Sequence, residues 1–290
     1  MARAIRVLLD PGHDKAEYNR GAVAGYWEGA QMWALAQYLK PALERYGFIV
    51  GLTKKKCNQT VSVVARGRMA HAYDVFVSLH SNACDTPSVD RPVGIYMVDD
   101  GCGSLDDESR DLAVLLANTV ARVMGTQQAQ TYSKRSGKDR DGDGRKNDDY
   151  YGMLYGAHQV GVPGVIVEHS FHTNARTARW LLADDHLRRL AEAEAAALAD
   201  YYGQTLTGSV HTTEEGTKVK MQTVKKGSKH AHVKVLQRLL IGSGYSVGSS
   251  GVDGSFGSAT DTALRKYQKA NGLTVDGSCG PATWAKLLAQ

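Results

Sequence analysis

Residues 5–13 read Ile-Arg-Val-Leu-Leu-Asp-Pro-Gly-His, an apolar run that a Pro-Gly turn stops at His13. Two similar runs end at a polar residue: Val-Phe-Val-Ser-Leu before His80, and Gly-Val-Ile-Val before Glu168. Continuous apolar runs of this length predict strands buried on both faces, as in a sheet that helices cover. Ligands bind at the carboxyl ends of strands in such sheets, so these three polar residues mark a candidate site.

Predicted strands and helices alternate through the first 203 residues. Beyond the three runs, we expect strands over 48–53 and 93–98 and helices over 29–46, 61–72, 106–124 and 187–202. Pro41 interrupts the first helical pattern and should kink or split that helix. The alternation predicts an α/β domain, with a mostly parallel sheet flanked by helices.

A second, smaller domain is expected after a polar linker. Residues 204–220 are small and polar and lose the apolar periodicity, which is typical of a linker between domains 1–203 and 221–290. The second domain repeats itself, since Val-Asp-Gly-Ser-Phe-Gly-Ser-Ala-Thr at 252–260 recurs as Val-Asp-Gly-Ser-Cys-Gly-Pro-Ala-Thr at 275–283.

Each copy of the repeat predicts an Asp-Gly turn that leads into a helix, giving a small all-α domain. Pro281 suits the first position of the helix in the second copy. Cys279 takes the place of Phe256 and should be a buried apolar residue. A domain of about 70 residues built from small helices is better suited to binding than to catalysis.

Composition and charge are those of an ordinary soluble protein, with 42% apolar residues and a net charge of +5. The mild positive charge suits an anionic polymer. No basic run is dense enough to indicate nucleic acid, and no stretch is long enough to predict membrane insertion. The four scattered cysteines are expected to be reduced, with a disulfide between Cys84 and Cys102 as the alternative.

His13, Glu28 and His80 are candidate ligands of one zinc ion, because zinc hydrolases commonly offer three His or carboxylate ligands and keep a fourth position for water. Glu168 would then remain as a general base. A structural interpretation stands beside this one. A histidine that ends a strand often caps the backbone, and Glu28 could simply favour the start of a helix.

Four motifs resemble the zinc-dependent N-acetylmuramoyl-L-alanine amidases, in particular the third amidase family of bacterial autolysins and phage endolysins. They are Asp-Pro-Gly-His at 10–13, Gly-Ala at 21–22 before Glu28, Ser-Leu-His-Ser-Asn-Ala at 78–83, and Val-Glu-His-Ser-Phe-His-Thr-Asn at 167–174. The resemblance covers nearly all of residues 1–202. It implies zinc on His13, Glu28 and His80, with Glu168 catalytic.

The resemblance also implies a substrate. The expected reaction is hydrolysis of the amide between N-acetylmuramic acid and L-alanine of peptidoglycan. We expect His169, Asn82 and Tyr151 to bind substrate, although His169 departs from the apolar or glycine residue that is usual after the catalytic glutamate. A second metal held by His169 and His172 is not expected.

The last seventy residues resemble the small helical peptidoglycan-binding domain. The residues that carry this resemblance include Lys226-Gly227, Val235-Leu236-Gln237, Tyr267-Gln268 and the two Asp-Gly repeats. The resemblance implies a wall-binding module whose exposed polar side chains contact glycan.

Calcium is not expected at Asp139–Asp143. The run from Asp139 to Gly144 matches the first half of an EF-hand loop, but the twelfth position is Tyr150 where the loop needs a bidentate glutamate. A solvated acidic loop is the preferred interpretation.

The expected function is therefore that of an endolysin-like peptidoglycan amidase. The chain opens Met-Ala-Arg-Ala and leads straight into a strand, so we expect cytoplasmic synthesis without a signal peptide and release to the wall through a holin. A sporulation or autolytic amidase of a Gram-positive bacterium, a catalytically silent wall-binding protein, and a zinc hydrolase acting on another wall bond are the alternatives.

Overall fold

The computed structural model describes residues 4–99, 104–140, 142, 144–206, 223–229 and 231–288. Within them the chain forms two compact units: residues 4–199 build the first, and most of the second comes from residues after 222. The predicted linker lies almost wholly outside the described residues. The domain limits at 203 and 221 therefore stay a proposal.

The first unit is built on a sheet whose strands, in the described residues, are β1 (Arg6–Pro11), β2 (Ile49–Leu52), β3 (Val75–Asn82), β4 (Val93–Tyr96), β5 (Gln130–Tyr132) and β6 (Gly164–Phe171). Their order is β2-β1-β3-β6-β4-β5. The first four run parallel, whereas β4 is antiparallel to β6 and parallel to β5. The prediction of a mostly parallel sheet flanked by helices is confirmed.

The helices of this unit are α1 (Glu28–Arg45), α2 (Val63–Arg68), α3 (Ser104–Met124), α4 (Gly152–Gln159), α5 (Ala175–Leu181) and α6 (Asp184–Tyr202). Helix α1 continues through Pro41, which therefore does not split it. The sequence did not predict β5, α4 or α5, because each is too short to display a clear apolar period. No helix in the described part of the chain combines the length and apolar character of a membrane span.

One face of the sheet packs against α4, which in turn packs against α2. Met153, Leu154 and Ala157 of α4 belong to the same buried cluster as Leu8 and Phe76 of the sheet. Residues 78 and 80 of β3 and 168 of β6 share the parity of these sheet residues, because side chains alternate along a strand. The candidate site residues on β3 and β6 therefore lie on this face.

Asp10 ties the ends of three neighbouring strands together. Its carboxylate is fully buried and accepts hydrogen bonds from Thr53 Oγ1 at 2.6 Å and from Ser78 Oγ at 2.8 Å. The buried Arg66 of α2 lies 3.2 Å from the same carboxylate. A buried charge is tolerated only when it is paired and hydrogen-bonded, so this network fixes the edge of the sheet where the candidate site lies.

The second unit is small and largely helical. It contains α7 (Ala231–Gly242), α8 (Ser258–Ala270) and α9 (Pro281–Leu288), with a two-residue pair of strands, β7 (Val224–Lys225) and β8 (Ser278–Cys279). Pro281 opens α9 and Cys279 is fully buried, so both predictions from the repeat are confirmed.

The sequence repeat becomes a repeated hydrogen-bond bracket. In each copy a buried glutamine spans the Asp-Gly turn: its amide nitrogen donates to the aspartate carboxylate, and its amide oxygen accepts from the glycine N–H. The two brackets are Gln237 with Asp253 and Gly254, and Gln268 with Asp276 and Gly277. Both glycines have positive φ, 72° and 69°, which explains why glycine recurs there.

Replacing Asp10 should destabilise the first unit far more than replacing an exposed acid. Asp10→Ala leaves the buried Arg66 without its carboxylate, which typically costs about 3–5 kcal/mol. Asp107→Ala, which removes an exposed i,i+3 partner of Arg110, should cost less than about 0.5 kcal/mol. Urea denaturation followed by circular dichroism measures both free energies of unfolding. Equal losses of unfolding free energy in the two variants would show that Asp10 does not hold the strands together.

Candidate metal centre

Three of the predicted site residues converge in space from three separate segments. His13 follows β1, Glu28 is the first residue of α1, and His80 lies in β3. One ligand atom from each lies within 4.8 Å of the others. No other group of three such side chains within the described ranges meets this condition. The structure therefore brings together the set that the sequence proposed.

The Glu28 carboxylate is the centre of this cluster and is almost fully buried. Oε2 lies 2.9 Å from His13 Nε2 and accepts a hydrogen bond from Asn19 Nδ2 at 2.6 Å. Oε1 lies 3.0 Å from His80 Nδ1 and accepts a hydrogen bond from the backbone N–H of Ser81 at 3.0 Å. Burial alone would raise the pKa of Glu28, but hydrogen bonds from His13 and His80 outweigh it and hold the pKa well below its usual range.

The backbone at His13 is held in an uncommon conformation. His13 has φ of 60°, in the left-handed region that costs a non-glycine residue about 1–3 kcal/mol. The buried Lys54 ammonium donates to the carbonyls of Gly12 and His13. The ring of Tyr18 stacks on the His13 ring with centroids 4.2 Å apart. These contacts offset the strain and aim the ring at Glu28.

Gly12 allows the two histidines to approach each other. A Cβ at this position would lie 2.6 Å from Cε1 of the His80 ring and 2.8 Å from the carbonyl of Leu79. Only a glycine fits such a close approach. The glycine of the Pro-Gly turn is thus required by the packing of His80 as well as by the turn.

The donor set fits zinc. Nitrogen and carboxylate ligands at about 2.0–2.1 Å from a tetrahedral zinc ion lie roughly 3.3 Å apart, and the His–Glu contacts here are 2.9 and 3.0 Å. The ligand atoms of the two histidines also lie within 4.8 Å of each other. A cluster of two imidazoles and one carboxylate at this spacing matches the three protein ligands that zinc hydrolases offer to the metal.

Glu168 lies beside the cluster on the same face of the sheet. It is paired in register with His80 across β3 and β6, and its Oε2 is buried without a hydrogen-bond partner among the described residues. Burial, together with the negative charge of Glu28, raises the pKa of Glu168 well above its usual range. Such a carboxyl holds a proton more readily than an ordinary glutamate does, which suits it to proton transfer.

Both strands continue past the residues at which the sequence predicted their ends. β3 runs to Asn82 and β6 to Phe171, and their register shifts between His80 and Asn82. Ser170 accommodates this bulge with φ of 62°, and its hydroxyl donates to the Asp90 carboxylate at 2.8 Å. The predicted strand ends were therefore too early. The residues directly after His80 and Glu168 are polar and do not look like a strand, yet the bulge allows Asn82 to pair with Phe171.

His169 is placed away from solvent. Its ring is fully buried, with Nδ1 2.8 Å from the His80 carbonyl oxygen and Nε2 3.1 Å from Glu194 Oε1. Burial alone would lower the pKa of His169, but Glu194 outweighs it and raises the pKa. A buried ring offers no surface to a substrate, so the substrate contact expected of His169 is corrected here to a contact with the His80 backbone.

Asn82 and Tyr151 are both partly exposed. Asn82 ends β3 half-buried, and its carbonyl accepts from the backbone N–H of His172. Tyr151 precedes α4 and shares a 2.9 Å hydrogen bond between hydroxyls with Tyr132. Burial is the main cause that raises the pKa of Tyr151, and the charge of Glu168 adds to it.

Several residues around the cluster were missed from the sequence. The Ser81 hydroxyl bonds to Tyr26 at 2.7 Å and to His172 Nδ1 at 2.9 Å, in a layer behind Glu28. Lys54 stands first in a run of three lysines, which looks like a solvated charge run, yet it alone of the three is buried. Of these residues, His172 was visible in the sequence because it lies three residues after His169. Its hydrogen bond to Ser81 could not be predicted, since it depends on the tertiary fold.

Two sequence predictions fall outside the described residues. Cys102, the alternative partner of Cys84, is not described. The same holds for Asp141 and Asp143 of the acidic loop, of which Asp139 accepts hydrogen bonds from the backbone N–H groups of Gly142 and Gly144.

Comparison with known proteins gives two family matches. Residues 7–200 match the model of the N-acetylmuramoyl-L-alanine amidase family, and residues 229–287 match that of a putative peptidoglycan binding domain. The first match spans the candidate centre with Glu168, and the second spans both glutamine brackets.

Individual relatives cover parts of the chain. The N-acetylmuramoyl-L-alanine amidase CwlL of Bacillus licheniformis is 37% identical over 86 residues, 30% of this chain and 24% of that protein. The zinc D-Ala-D-Ala carboxypeptidase of Streptomyces albus G is 38% identical over 65 residues, 22% of this chain and 26% of that protein. This chain thus spans about a quarter of the length of each of these curated relatives.

A solved structure shares the fold of the first unit. The catalytic domain of CwlV, an N-acetylmuramoyl-L-alanine amidase from Bacillus (Paenibacillus) polymyxa var. colistinus, matches with a TM-score of 0.53 and 18% identity. The match covers 68% of this chain and 97% of that domain. At this identity the likeness shows the fold alone.

Proposed function

The chain belongs to the N-acetylmuramoyl-L-alanine amidase family, and from this premise we propose that it hydrolyses peptidoglycan at the amide between N-acetylmuramic acid and L-alanine. The observation that carries the proposal is the convergence of His13, Glu28 and His80, with Glu168 in register beside His80. The name of the CwlL relative agrees with this reaction.

We propose that His13, Glu28 and His80 hold one zinc ion. When bound, zinc supplies a Lewis acid that polarises the scissile carbonyl and lowers the pKa of a water molecule. Glu28 enters this role as an ionised carboxylate, since its low pKa keeps it unprotonated. Its hydrogen bonds from Ser81 N–H and Asn19 Nδ2 fix its orientation. The protein thus presents a preformed, negatively charged set of ligands.

Glu168 is the proposed general base and general acid. Its carboxylate takes one proton from the attacking water, whose oxygen forms the new bond to the lactyl carbonyl carbon. It then gives that proton to the L-alanine nitrogen as the C–N bond breaks. The second proton of the water leaves the new lactyl carboxyl group and goes to the released amine, so the products are a lactyl carboxylate and an L-alanine ammonium group. The raised pKa of Glu168 suits the first transfer, because a more basic carboxylate accepts a proton more readily.

Asn82 and Tyr151 are proposed to contact the substrate next to this centre. Burial and, to a smaller extent, the negative charge of Glu168 raise the pKa of Tyr151, and its hydroxyl forms a hydrogen bond with the hydroxyl of Tyr132. An aromatic ring with a polar edge can pack against one part of a ligand and hydrogen-bond another. His169 is excluded from this group because its ring is buried.

The second unit is proposed to bind the wall polymer. The match of residues 229–287 to a putative peptidoglycan binding domain supports this proposal. The glutamine brackets and the buried core serve its fold, so binding is expected from exposed side chains.

Zinc content should depend on the cluster. Purified protein should hold about one zinc ion per chain, and His80→Ala should lose most of it, because one of three ligands is removed. His71→Ala, a change of an exposed histidine on the turn after α2, is the matched control and should keep its zinc. Elemental analysis after dialysis measures the content. Equal zinc in both variants contradicts the assignment of the ligands.

Glu168→Gln should abolish most turnover while the fold and zinc content remain. Loss of a general acid–base group typically costs about 10²–10⁴-fold in rate. Glu44→Gln, a change of an exposed acid on α1, should retain activity. The assay is mass spectrometry of digested peptidoglycan, in which amidase action releases stem peptides that begin with L-alanine.

The same assay separates the alternatives. Lysis at the wild-type rate by Glu168→Gln would sink the role given to Glu168. Products cut within the stem peptide, or deacetylated sugars, would assign another zinc hydrolase activity. Binding to walls without any release of peptides would identify a catalytically silent wall-binding protein.

The proposed biological setting is that of an endolysin, and a sporulation or autolytic enzyme is the alternative. The chemistry is the same in both settings. Expression of the chain in a sensitive bacterium with and without a holin distinguishes them. Lysis only with the holin is the expected result, and wall turnover without one favours the alternative.

A further inference from the structure

A buried histidine–glutamate pair lies directly behind the proposed zinc ligand His80. His169 follows Glu168 on β6, and because side chains alternate along a strand its ring points to the opposite face of the sheet. There it meets Glu194 of α6, with 3.1 Å between Nε2 and Oε1. Neither side chain is exposed, at 0% and 1%. The proposed mechanism gives this pair no role.

The other ring nitrogen of His169 reaches the main chain of His80. Nδ1 lies 2.8 Å from the His80 carbonyl oxygen. A carbonyl can only accept, so Nδ1 carries the proton and donates. Glu194, at Nε2, fixes which way the ring faces. A side chain on one strand thus holds the peptide of a neighbouring strand from behind.

This contact occurs at the point where the sheet is least regular. The register of β3 and β6 shifts just after His80, and Ser170 has φ of 62°. A bulge disrupts the hydrogen-bond ladder locally and bends the strand. The orientation of the His80 peptide is therefore less constrained by the ladder here than in the middle of the strand.

We propose that His169 is a positioning residue: it fixes the His80 peptide through its carbonyl and so holds the His80 ring toward Glu28, while Glu194 holds His169 in place. The proposal rests on the proposed function insofar as His80 is a zinc ligand. Partners outside the ligand shell typically change metal affinity by about 10–100-fold when they are lost. A merely structural pair would affect stability and leave the affinity for zinc unchanged.

Two double variants isolate the donor. His169→Phe with Glu194→Leu replaces the pair with apolar groups and removes the hydrogen bond to His80, and such replacement of a buried pair is often tolerated by the fold. His169→Asn with Glu194→Leu is the matched control. The amide nitrogen of asparagine lies the same number of bonds from Cβ as Nδ1 of histidine, so it can donate to the same carbonyl.

The measurement is the zinc dissociation constant of each full-length protein, obtained by competition with a coloured chelator. Unfolding temperatures of the metal-free proteins are recorded alongside. We expect the phenylalanine variant to bind zinc about 10–100-fold more weakly than the wild type, and the asparagine variant to stay close to the wild type. If the phenylalanine variant does not unfold cooperatively, His169→Leu with Glu194→Leu takes its place.

Equal zinc affinities in the two double variants would overturn the proposal, whether both are weak or both are strong, because the donor is the difference between them. Failure of the proposed function gives a different result: the wild type itself would bind no zinc.

Discussion

The buried carboxylate of Glu28 is the group around which the candidate metal centre of the first unit is built. A carboxylate taken out of water is expensive unless it is paired and fully hydrogen-bonded. Glu28 meets that requirement with contacts to His13 and His80 and with hydrogen bonds from Asn19 and the Ser81 N–H. These partners come from separate parts of the chain, so satisfying one charge brings the loop after β1, the start of α1 and the end of β3 to a single point.

This arrangement strains the backbone near the cluster. Three residues other than glycine have positive φ in the described part of the chain, His13, Asn19 and Ser170, and all three lie in or beside the cluster. Strain of this kind persists only where the surroundings hold it. Lys54 holds the carbonyl of His13 and Asp90 holds the hydroxyl of Ser170. A cluster held in this way is preorganised, since its polar groups do not need to reorganise when a reaction begins.

The second unit is stabilised by a different kind of polar contact. It has no comparable cluster of buried charges in its described residues, and its turns are held by neutral amide side chains. Gln237 and Gln268 each satisfy the Asp-Gly turn of one repeat from within the core. Because a neutral amide both donates and accepts, one side chain can close both ends of a turn. A small domain gains rigid loops in this way without the desolvation cost of a buried ion pair.

The sequence by itself determined the fold class, because short apolar runs that end at turn signals or polar residues, before Asp10, His80 and Glu168, favour buried strands of a covered sheet. It also determined the repeat of the second unit, down to the burial of Cys279, since identical spacing requires identical packing. The sequence did not predict β5, α4 or α5, because a hydrophobic period can be recognised only in a longer element. The candidate ligands were named from residue type and family resemblance.

Only the tertiary structure decided what surrounds those ligands. From the sequence, Lys54 looks like part of an exposed charge run and His169 like a substrate contact. In the structure, both are buried against main-chain carbonyls of the two histidines. Burial and hydrogen-bond partners of a polar side chain depend on residues far away in the chain, such as Glu194 for His169. Local sequence fixes which groups are available, whereas the packing of distant segments fixes which of them meet. That is the physical reason why the chemistry was legible from the sequence and the geometry that supports it was not.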